Sequence, residues 1–520
     1  MQWDICMSDI KIMKKWLQHE YSLGLPKDVK KILKSNLPSK YGKKTWITKV
    51  GLIIHRLSEM PWHTQEQILD EIGITKKELI ELNKVIRECD FFQELIVKQG
   101  LGKKYWNTII PYVKNGVVEK VVNYEYQFPL RLALFPGLSC MYYCGFCGRN
   151  QKSMYKGDVI KEGNERYKNI ISNMPKYSTI SISGGLEPLT NKGLGDIISH
   201  AKSLGMKVPL ITNGHMLTPN YLSRNPGIWD LDSLRISLYG TDEDSTYFVT
   251  RHKKAYKLVK NNTIEFLKLR NEINPDLKFG FNYIILPDNI DTIMPLLEYI
   301  IDVNSKVDNG RGVDFLTIRE DFGSVTDGDD VDVKERIYHL EGFLSTEQRK
   351  SLIKTFKDFN IKREKECPNL HVDFGYAMVA LGEGILGKPL ARVSGKQMRV
   401  SGYPQMSVAI DSLGDIFLYR EAGFLDRPGN DKFIAGRITD DKPIEDVLKE
   451  FVENGVVVDR EDTDCRFMDS YDHLMTLLVN QSESDTNFGI PFNLGPVGVR
   501  LGELNSKQKE YKISNNWYKD

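Results

Sequence analysis

Three cysteines lie close together in this sequence, at Cys140, Cys144 and Cys147, with three and then two residues between them. Closely spaced thiolates suit a soft metal centre, and in a cubane of four irons three of them leave one iron without a protein ligand. A structural zinc site needs a fourth ligand at its usual spacing, and the only candidate is His215, far along the chain. The spacing therefore favours an iron–sulfur cluster over zinc, and both over buried, inert cysteines.

An iron without a protein ligand predicts a particular kind of chemistry. It could chelate the amino and carboxylate groups of S-adenosylmethionine (SAM). An electron passed to the sulfonium would then break its bond to the 5′ carbon and release a 5′-deoxyadenosyl radical. The sequence thus predicts two cofactors, a [4Fe-4S] cluster and SAM.

The composition limits the other functions. The 520 residues exceed what a single core usually supports, which predicts two or three domains. The formal net charge of +1 lacks the positive excess of a nucleic-acid or membrane binder, and no apolar run is long enough to span a bilayer. We see no secretory signal and no disulfide framework among the seven cysteines, so we expect a cytoplasmic location.

Residues 1–104 are predicted to form a helical domain. Thr64 and Thr75 each begin a capping-box pattern, followed by apolar residues at helical spacing. Two such helices resemble a DNA-binding helix-turn-helix, which leaves a zinc-stabilised regulator as an alternative function. However, residues 61–90 contain seven acidic and four basic side chains, a balance that would repel phosphates. A packing or lid domain is therefore favoured.

Residues 105–366 carry the alternation of strands and helices that is typical of parallel β/α units. Six apolar runs are predicted strands: RLALF, STISIS, KVPLIT, SLRISLY, KFGFNYIIL and VDFLTI. Stretches such as 255–270 and 290–301 are predicted helices between them. The pattern predicts a partial β/α barrel, whose chemistry should lie where the strands end. The runs are followed by polar motifs: the cysteine loop, SGGLEP, TNGH, YGTDED, LPDN and REDF.

Residues 367–520 are predicted to form an α+β domain, with a hairpin that turns at residues 413–415 and a helix over 444–454. The four remaining cysteines are far apart in sequence, and none has Cys-x-x-Cys spacing. We therefore expect no auxiliary iron–sulfur cluster in this domain. Without such an electron acceptor, a redox-neutral reaction is favoured over an oxidation.

The cysteine spacing, with the aromatic Phe146 before the last cysteine, resembles the signature of the radical SAM superfamily. The GGLEP element at residues 184–188 resembles a second motif of that superfamily. The resemblance implies that Phe146 lies near the adenine, that Gly184 and Gly185 let the backbone approach the cosubstrate, and that Glu187 complements its ammonium group. It also implies a radical SAM partial (β/α)6 barrel.

Further side chains at predicted strand ends are candidate ligands of the cosubstrate. Asn213 lies in the turn after the third strand, and Arg235 and Ser237 share one face of the fourth. Tyr239 lies on that same face, and Asn282 is the polar position of the fifth strand. A structural ion pair for Arg235 and a hydrogen bond to nearby backbone for Asn282 remain open alternatives.

Longer stretches outside the cysteine loop resemble one branch of the superfamily, the ammonia-lyases that act on dTDP-4-amino-4,6-dideoxyglucose in desosamine biosynthesis. The matching stretches are YWNTIIP, SGGLEPLTNKGLG, SLYGTDED, TIREDF, HVDFGYA and LGDIFLYREAGF, within roughly residues 100–455. The resemblance implies hydrogen abstraction from C3 of a nucleotide-linked 4-amino sugar and loss of ammonia from C4, which gives a 3-keto-4,6-dideoxy sugar. It also implies a role in deoxysugar and antibiotic biosynthesis.

Such a reaction requires carboxylates near the amino and hydroxyl groups, and arginines near the diphosphate. The candidate residues are Glu320, Asp321 and Glu421 for catalysis, and Tyr239, Asn282, Arg319, Tyr376, Tyr419 and Arg420 for substrate binding. We expect Arg319 or Arg420 to bind the diphosphate. An ion pair between Arg319 and Glu421 across a domain interface stays open as the structural alternative.

An alternative within the same chemistry is a radical SAM dehydrogenase that oxidises a sugar or aminocyclitol alcohol. A modifier of ribosomal peptides is less favoured, because neither auxiliary cysteines nor a peptide-recognition domain is apparent. We expect two partners: the nucleotide-sugar substrate and an external one-electron reductant of the flavodoxin or ferredoxin type. Neither nucleic acid nor membrane is expected as a partner.

Overall fold

The computed structural model describes residues 7–17, 24–58, 63–92, 95, 108–144, 147, 154–307, 310–320, 344–384, 386, 402–423, 429–455 and 468–489. These residues fall into two compact units. The first contains the described residues up to Asn123 and those from His473 onward, and the second contains those from Tyr124 to Asp472. The sequence predicted boundaries near residues 104 and 366, so the units divide elsewhere, and the three-domain division stays a prediction.

The first unit is helical, as the sequence predicts. Its helices include α1 (Met7–Leu17), α2 (Lys27–Asn36), α3 (Lys44–Ser58), α4 (Gln65–Ile72), α5 (Lys76–Glu88) and α6 (Val117–Val122). Both predicted capping boxes form, since Thr64 and Thr75 each accept a backbone N–H from the third residue of the helix that follows. Gly73 ends α4 in the left-handed conformation, with φ 60°, and so allows the sharp turn toward α5.

The last described helix, α16 (Ser470–Asn487), belongs to the first unit from His473 onward. Buried polar contacts join it to α4 there. The backbone N–H of Gln65 donates to Oγ of Ser484 (2.8 Å), and the Gln65 side chain donates to the Asp485 carboxylate (3.0 Å). Asn83 on α5 donates to the same Gln65 side chain (2.7 Å), so one buried glutamine links three helices.

The second unit is built on one ten-stranded sheet. Its strands are β1 (Arg131–Phe135), β2 (Thr179–Ile182), β3 (Pro209–Thr212), β4 (Ser233–Leu238), β5 (Lys278–Ile285), β6 (Phe315–Glu320), β7 (His371–Phe374), β8 (Ser407–Asp411), β9 (Asp415–Phe417) and β10 (Ile434–Arg437). Strands β1 to β7 lie side by side in sequence order and pair in parallel. All six predicted strands form, which confirms the α/β fold class.

Helices connect most of these strands. They are α7 (Val159–Asn173), α8 (Leu194–Ser203), α9 (Pro219–Arg224), α10 (Glu243–Thr250), α11 (Ala255–Ile273), α12 (Ile293–Ser305), α13 (Thr346–Glu366), α14 (Val379–Gly382) and α15 (Ile444–Glu453). The predicted helices over 255–270, 290–301 and 444–454 correspond to α11, α12 and α15. No helix within the described residues has the length and apolar character needed to cross a membrane.

Strand β4 illustrates how the sheet can line a polar cavity. Leu234, Ile236 and Leu238 are buried, whereas Arg235 and Ser237 are only partly buried. Successive side chains of a strand point to opposite faces, so the apolar residues pack on one face and the polar residues lie on the other. This confirms the alternation that the sequence predicts for the fourth strand.

The predicted hairpin forms between β8 and β9, where Gly414 turns with φ 90°. Strand β8 also pairs in parallel with β1, and β9 and β10 continue the sheet as antiparallel strands. At the other edge of the sheet, β7 pairs with β6. Both β7 and the hairpin fall in the region predicted as a C-terminal α+β domain, but their backbones join the central sheet, because strand pairing connects residues far apart in sequence.

A buried ion pair lies where β5 and β6 begin. Arg270 on α11 has no exposed surface, and it donates to the carboxylate of Asp314 (3.0 Å) and to the carbonyl of Leu277 (3.1 Å). The same carboxylate accepts the backbone N–H of Phe279 in β5 (2.8 Å). Since Asp314 directly precedes β6, this contact fixes α11 against the start of both strands.

We expect Asp314→Asn to lower the free energy of unfolding by about 3–5 kcal/mol, because it leaves the buried Arg270 guanidinium without its carboxylate. Urea unfolding followed by circular dichroism measures the change. Glu243→Gln is the control, since Glu243 forms an exposed ion pair with Lys257 that contributes about 0–1 kcal/mol at most. Equal losses in the two variants would contradict the structural role of the buried pair.

Candidate active site

One cavity of about 270 Å³ lies in the second unit, where residues of the strands and of the loops after them meet. Most predicted site residues line it: Cys140, Cys144, Cys147, Gly184, Gly185, Glu187, Asn213, Arg235, Ser237, Tyr239, Asn282, Arg319, Arg420 and Glu421. They come from positions 281 residues apart in sequence, between Cys140 and Glu421. The sheet therefore brings the proposed cofactor and substrate groups to a single cavity.

Two predicted substrate residues do not line this cavity. Tyr419 is buried against Phe433, with ring centroids 5.2 Å apart, and Tyr376 packs against Tyr471 at 6.4 Å. Tyr419 directly precedes a short 3-10 helix that begins at Arg420, and of the two only Arg420 lines the cavity. Phe146, Asp321 and the side chain of Glu320 lie outside the described residues.

The cysteine loop follows β1 and is braced by the loop that follows β2. The backbone N–H groups of Leu138 and Ser139 donate to Oγ1 of Thr190 (2.8 and 3.3 Å), and the N–H of Glu187 donates to the carbonyl of Ser139 (2.9 Å). A Cβ atom on Gly137 would approach the Glu187 carbonyl oxygen to 2.7 Å, so this contact requires glycine. The two loops therefore pack backbone against backbone.

The donor set of this loop fits a four-iron cluster. Cys144 is buried, Cys140 and Cys147 are partly exposed, and all three are thiols outside any disulfide that line one cavity. The described residues contain no group of three or more His, Cys, Asp or Glu side chains that could hold a single metal ion. A cubane binds each cysteine to a different iron, so it does not require the three sulfurs to converge on one point.

Glu187 is a buried carboxylate whose oxygens hold neighbouring loops together. It accepts the backbone N–H of Leu189 (3.0 Å), the backbone N–H of Asn213 (2.8 Å) and the hydroxyl of Thr212. Burial raises the pKa of Glu187 above its usual value, and these three hydrogen bonds offset only part of that rise. Glu187 thus joins the loop after β2 to the end of β3, in addition to lining the cavity.

Asn213 contacts the sulfur atoms of the cysteine loop, which the sequence analysis did not predict. Its side-chain nitrogen lies 3.6 Å from Sγ of Cys140 and 3.1 Å from Sδ of Met141, while its carbonyl oxygen accepts the backbone N–H of His215 (2.9 Å). A hydrogen bond to a ligating thiolate stabilises negative charge on the sulfur and so influences the reduction potential of a cluster. The sequence feature that could have predicted this contact is the amide side chain of Asn213 in the turn directly after β3.

An aromatic group surrounds Tyr142, which stands between two of the cysteines. The Tyr142 hydroxyl lies 3.1 Å from Nδ1 of His215, and its ring packs edge-on against His215 and Tyr239, at 5.4 and 5.9 Å. His252 packs 4.9 Å from His215. Burial and the proximity of His252 lower the pKa of His215. His215, the distant zinc candidate, thus contacts Tyr142 and does not line the cavity.

Four arginines line the same cavity: Arg131, Arg235, Arg319 and Arg420. Arg420 donates to Oγ of Ser183 (2.9 Å) and lies 3.8 Å from the Asp469 carboxylate. Among the described residues, the other three guanidinium groups form no hydrogen bond or ion pair; Arg131 packs on the ring of Tyr471 and Arg235 on that of Phe315. Three of the four guanidinium groups of this cavity thus have no anionic partner among the described residues, although Glu187, Glu421 and Asp469 also line it.

Burial lowers the pKa of Arg235 to about 10, and the charge of Arg319 is the next largest cause. Burial also lowers the pKa of Arg420, followed by the charge of Arg131. For Arg235 the lowered pKa corresponds to about 3 kcal/mol against the charged form. A guanidinium with a pKa near 10 nevertheless remains protonated at neutral pH. Arg235 therefore keeps its charge at a cost that a bound anion would offset.

Acidic side chains lie at one side of these arginines. Glu421 and Asp469 both line the cavity, and the backbone N–H of Arg420 donates to the buried carboxylate of Asp472 (3.3 Å). Burial raises the pKa of Asp472, and the nearby charge of Asp469 raises it further. The sequence analysis missed Arg131, Ser183 and Asp469, because strand pairing and the start of α16 bring them to the site.

Comparison with known sequences identifies the class of protein to which this site belongs. Residues 134–300, from β1 to α12, match the sequence model of the Radical SAM superfamily. Together with the extended similarity described next, this match shows that the chain belongs to the radical SAM superfamily of enzymes. A [4Fe-4S] cluster and SAM are its cofactors, in agreement with the cysteine loop.

The chain is 34% identical over 437 residues to dTDP-4-amino-4,6-dideoxy-D-glucose ammonia-lyase of Streptomyces venezuelae, covering 84% of this chain and 87% of that protein. This confirms the predicted resemblance. The chain is also 36% identical over 75 residues to the S-adenosylmethionine-dependent nucleotide dehydratase of Lacinutrix mariniflava, covering 14% of this chain and 15% of that protein. Among solved structures, SuiB of Streptococcus suis aligns with a TM-score of 0.41 at 14% identity, covering 77% of this chain and 81% of that one.

Replacement of Cys140, Cys144 and Cys147 by alanine together should abolish iron uptake during anaerobic reconstitution, because the cavity then loses all three thiolate ligands. Formation of 5′-deoxyadenosine from SAM should disappear at the same time. Iron analysis and liquid chromatography measure the two effects. Cys89→Ala, outside the cavity, is the control and should retain both; iron uptake by the triple variant would contradict the assignment.

Proposed function

We propose that this enzyme eliminates ammonia from a nucleotide-linked 4-amino-4,6-dideoxy sugar, most simply a dTDP sugar, and produces the 3-keto-4,6-dideoxy sugar. The observation that carries the proposal is the cavity in which the three cysteine thiols and four arginines meet. The similarity to the Streptomyces venezuelae ammonia-lyase over most of both chains supports the same reaction. The net change is the loss of one ammonia, with a carbonyl group formed at C3 and a methylene group at C4.

When bound, the cluster and SAM would supply a 5′-deoxyadenosyl radical for removal of hydrogen from C3, and the sugar radical left after loss of ammonia would take up one electron from the reductant and one proton to form the C4 methylene group. The protein residues then have three tasks: to hold the anionic nucleotide, to bind the C4 ammonium, and to accept the proton of the C3 hydroxyl. Each task requires a different kind of side chain, and arginines, carboxylates and amides all line this cavity.

The arginines are proposed to bind the diphosphate. Arg319 and Arg420 are the residues that the sequence analysis assigned to this role, and both line the cavity. Guanidinium groups bind phosphate oxygens through two parallel N–H donors, and Arg319 has no competing partner among the described residues. Arg131 and Arg235, the latter predicted as a cosubstrate ligand, add to the positive charge, which attracts an anion with two phosphates more strongly than one with a single carboxylate.

The carboxylates are proposed to act at the amino sugar. Glu421 directly follows Arg420 and lines the cavity, so a diphosphate on Arg420 would place the attached sugar near this carboxylate. Asp469, 3.8 Å from Arg420, is a second acid on the same side. We assign Glu421 to the C4 ammonium or the C3 hydroxyl proton, and we retain Glu320 and Asp321 as further candidates.

Asn282 is proposed to orient the sugar. Its side chain is 6% exposed, lines the cavity, and its carbonyl oxygen has no hydrogen-bond donor within the described part of the chain. Buried polar atoms are almost always hydrogen-bonded, so an acceptor of this kind suits a hydroxyl or ammonium donor of a ligand. Ser237 lies opposite Asn282 in the pairing of β4 with β5, which gives the same region a hydroxyl group.

The loops nearest the cysteines are proposed to bind SAM. Gly184, Gly185 and Glu187 line the cavity beside the cysteine loop. Asn213, in the turn after β3, contacts the sulfur of Cys140. A Cβ atom on Gly184 would clash with the Leu186 carbonyl oxygen, so the loop conformation itself requires glycine there.

We also propose a cytoplasmic location and an external one-electron reductant.

The experiment that tests the function is anaerobic incubation of the reconstituted enzyme with dTDP-4-amino-4,6-dideoxyglucose, SAM and a reductant. We expect ammonia, a keto sugar that has lost one ammonia, and 5′-deoxyadenosine, scored by mass spectrometry. With deuterium at C3, the label should enter 5′-deoxyadenosine. A product that has lost only two hydrogens would instead establish the dehydrogenase alternative, and deuterium retained at C3 would contradict abstraction at that carbon.

Arg319→Met should raise the KM for the nucleotide sugar at least about tenfold, because one charge-assisted contact to the diphosphate contributes on the order of 1.5–3 kcal/mol. Formation of 5′-deoxyadenosine in the absence of sugar should change by less than about twofold. Arg224→Met, at the exposed end of α9, is the matched control. Equal loss of sugar-dependent and sugar-independent activity would contradict a substrate-binding role.

A further inference from the structure

An exposed aromatic surface adjoins the cysteine loop. On α10, the side chains of Tyr247 and Phe248 are 41% and 39% exposed, although both are large and apolar. Tyr143, within the cysteine loop itself, is 41% exposed. Single exposed apolar residues are common, but three aromatic rings on neighbouring segments form a patch of the kind that marks protein interaction sites.

A backbone contact connects these segments. The N–H of Tyr143 donates to the carbonyl of Thr250 at the end of α10 (2.9 Å). Tyr143 directly precedes Cys144, so the end of α10 touches the loop that carries the cluster ligands. The exposed aromatic side chains of α10 therefore lie next to the cysteine loop, and this hydrogen bond joins the two segments.

Basic side chains border the same surface. Arg251, Lys253 and Lys254 are exposed, and no carboxylate of the described residues pairs with them. The guanidinium of Arg251 lies 5.4 Å from the ring centroid of Phe248. Arg251 also ends α10 in the left-handed conformation, with φ 56°, where glycine would be less strained. Arg251 thus adopts a backbone conformation that disfavours arginine.

Charge is separated along α10. Its amino end carries Asp242, Glu243 and Asp244, whereas residues 247–254 contain no acid. Glu243 is paired with Lys257. The positive charge is therefore confined to the end of the helix next to the cysteine loop, which fits a compact acidic partner better than an extended polyanion such as DNA, whose phosphates would also meet the acidic end.

We propose that the aromatic–basic patch, formed by Tyr143, Tyr247, Phe248, Arg251, Lys253 and Lys254, is the docking surface for an acidic flavodoxin that reduces the enzyme. Its acidic surface would meet the basic side chains, and the exposed planar edge of its flavin would pack on the aromatic rings. One electron leaves the reduced flavin and enters the cluster held by Cys140, Cys144 and Cys147. No covalent bond forms or breaks between the two proteins.

A flavodoxin fits this patch better than a ferredoxin does. Both carriers are acidic, so the basic side chains alone would accept either. The three exposed rings distinguish them, because a flavin presents an apolar aromatic edge whereas a ferredoxin surrounds its cluster with a polar loop. The proposal is independent of the sugar substrate, since the patch contains none of the residues that line the cavity.

The first test is equilibrium binding of an oxidised, recombinant acidic flavodoxin to the full-length reconstituted enzyme. Combined replacement Arg251→Glu and Lys254→Glu should weaken the Kd at least tenfold at low salt and reduce its dependence on salt. Lys207→Glu combined with Lys278→Glu is the matched control, because these exposed lysines lie where β3 and β5 begin. An unchanged Kd in the patch variant, or tighter binding of duplex DNA than of flavodoxin, would overturn the proposal.

The second test compares two reductants in the formation of 5′-deoxyadenosine without sugar. The patch variant and Phe248→Ser should lose at least about tenfold of the flavodoxin-supported rate and keep the rate supported by sodium dithionite, which needs no docking. Equal losses with both reductants would overturn the proposal, as would a ferredoxin-supported rate that depends on the patch more strongly than the flavodoxin-supported rate. If the double variant does not bind iron, Lys254→Glu alone provides the same comparison with a smaller expected loss.

Discussion

The buried carboxylate of Glu187 is the contact on which the geometry of the site depends. It accepts hydrogen bonds from Leu189, Thr212 and Asn213, while its own backbone N–H donates to Ser139 in the cysteine loop. The loops after β1, β2 and β3 are thereby joined around one side chain. Removal of this carboxylate would leave three buried donors without their acceptor, and each unpaired donor would cost its desolvation energy. The thiols, the glycine loop and Asn213 are therefore positioned as one group.

The sequence was sufficient to predict those parts of the fold that depend on neighbouring residues. The six strands, the capping boxes at Thr64 and Thr75, and the polar motifs after the strands follow from local periodicity and from the rule that parallel strands place their ends at one edge. The pairing of β8 with β1 could not be predicted in this way, because it joins residues that lie 276 positions apart, Arg131 and Ser407. The predicted boundary near residue 366 does not separate the two compact units, because strands on both sides of it pair in one sheet.

The candidate site was predictable to a similar extent. Cysteine spacing and the GGLEP element identified the cofactor end, because each motif is continuous in sequence. The proposed substrate end is assembled from Arg131 at the start of β1, Arg235 within β4, Arg319 near the end of β6 and Arg420 after β9. Only tertiary structure brings these charges together, so Arg131 and Asp469 were missed. Tyr419 was selected because it adjoins Arg420, yet the extended backbone turns its ring toward Phe433.

The distribution of charge along the cavity bears on the size of the ligand. Arg131 is the first residue of β1, and Cys140 lies beyond its last residue, Phe135. A strand advances about 3.3 Å per residue, so the arginine and the start of the cysteine loop are separated by roughly 13 Å along this strand. In the proposed reaction hydrogen abstraction occurs near the cysteines, whereas Arg131 begins at the other end of β1. A free monosaccharide would offer Arg131 no anion, whereas a sugar joined through a diphosphate to a nucleoside would, so the position of this arginine supports the proposed nucleotide-linked substrate over a simple sugar.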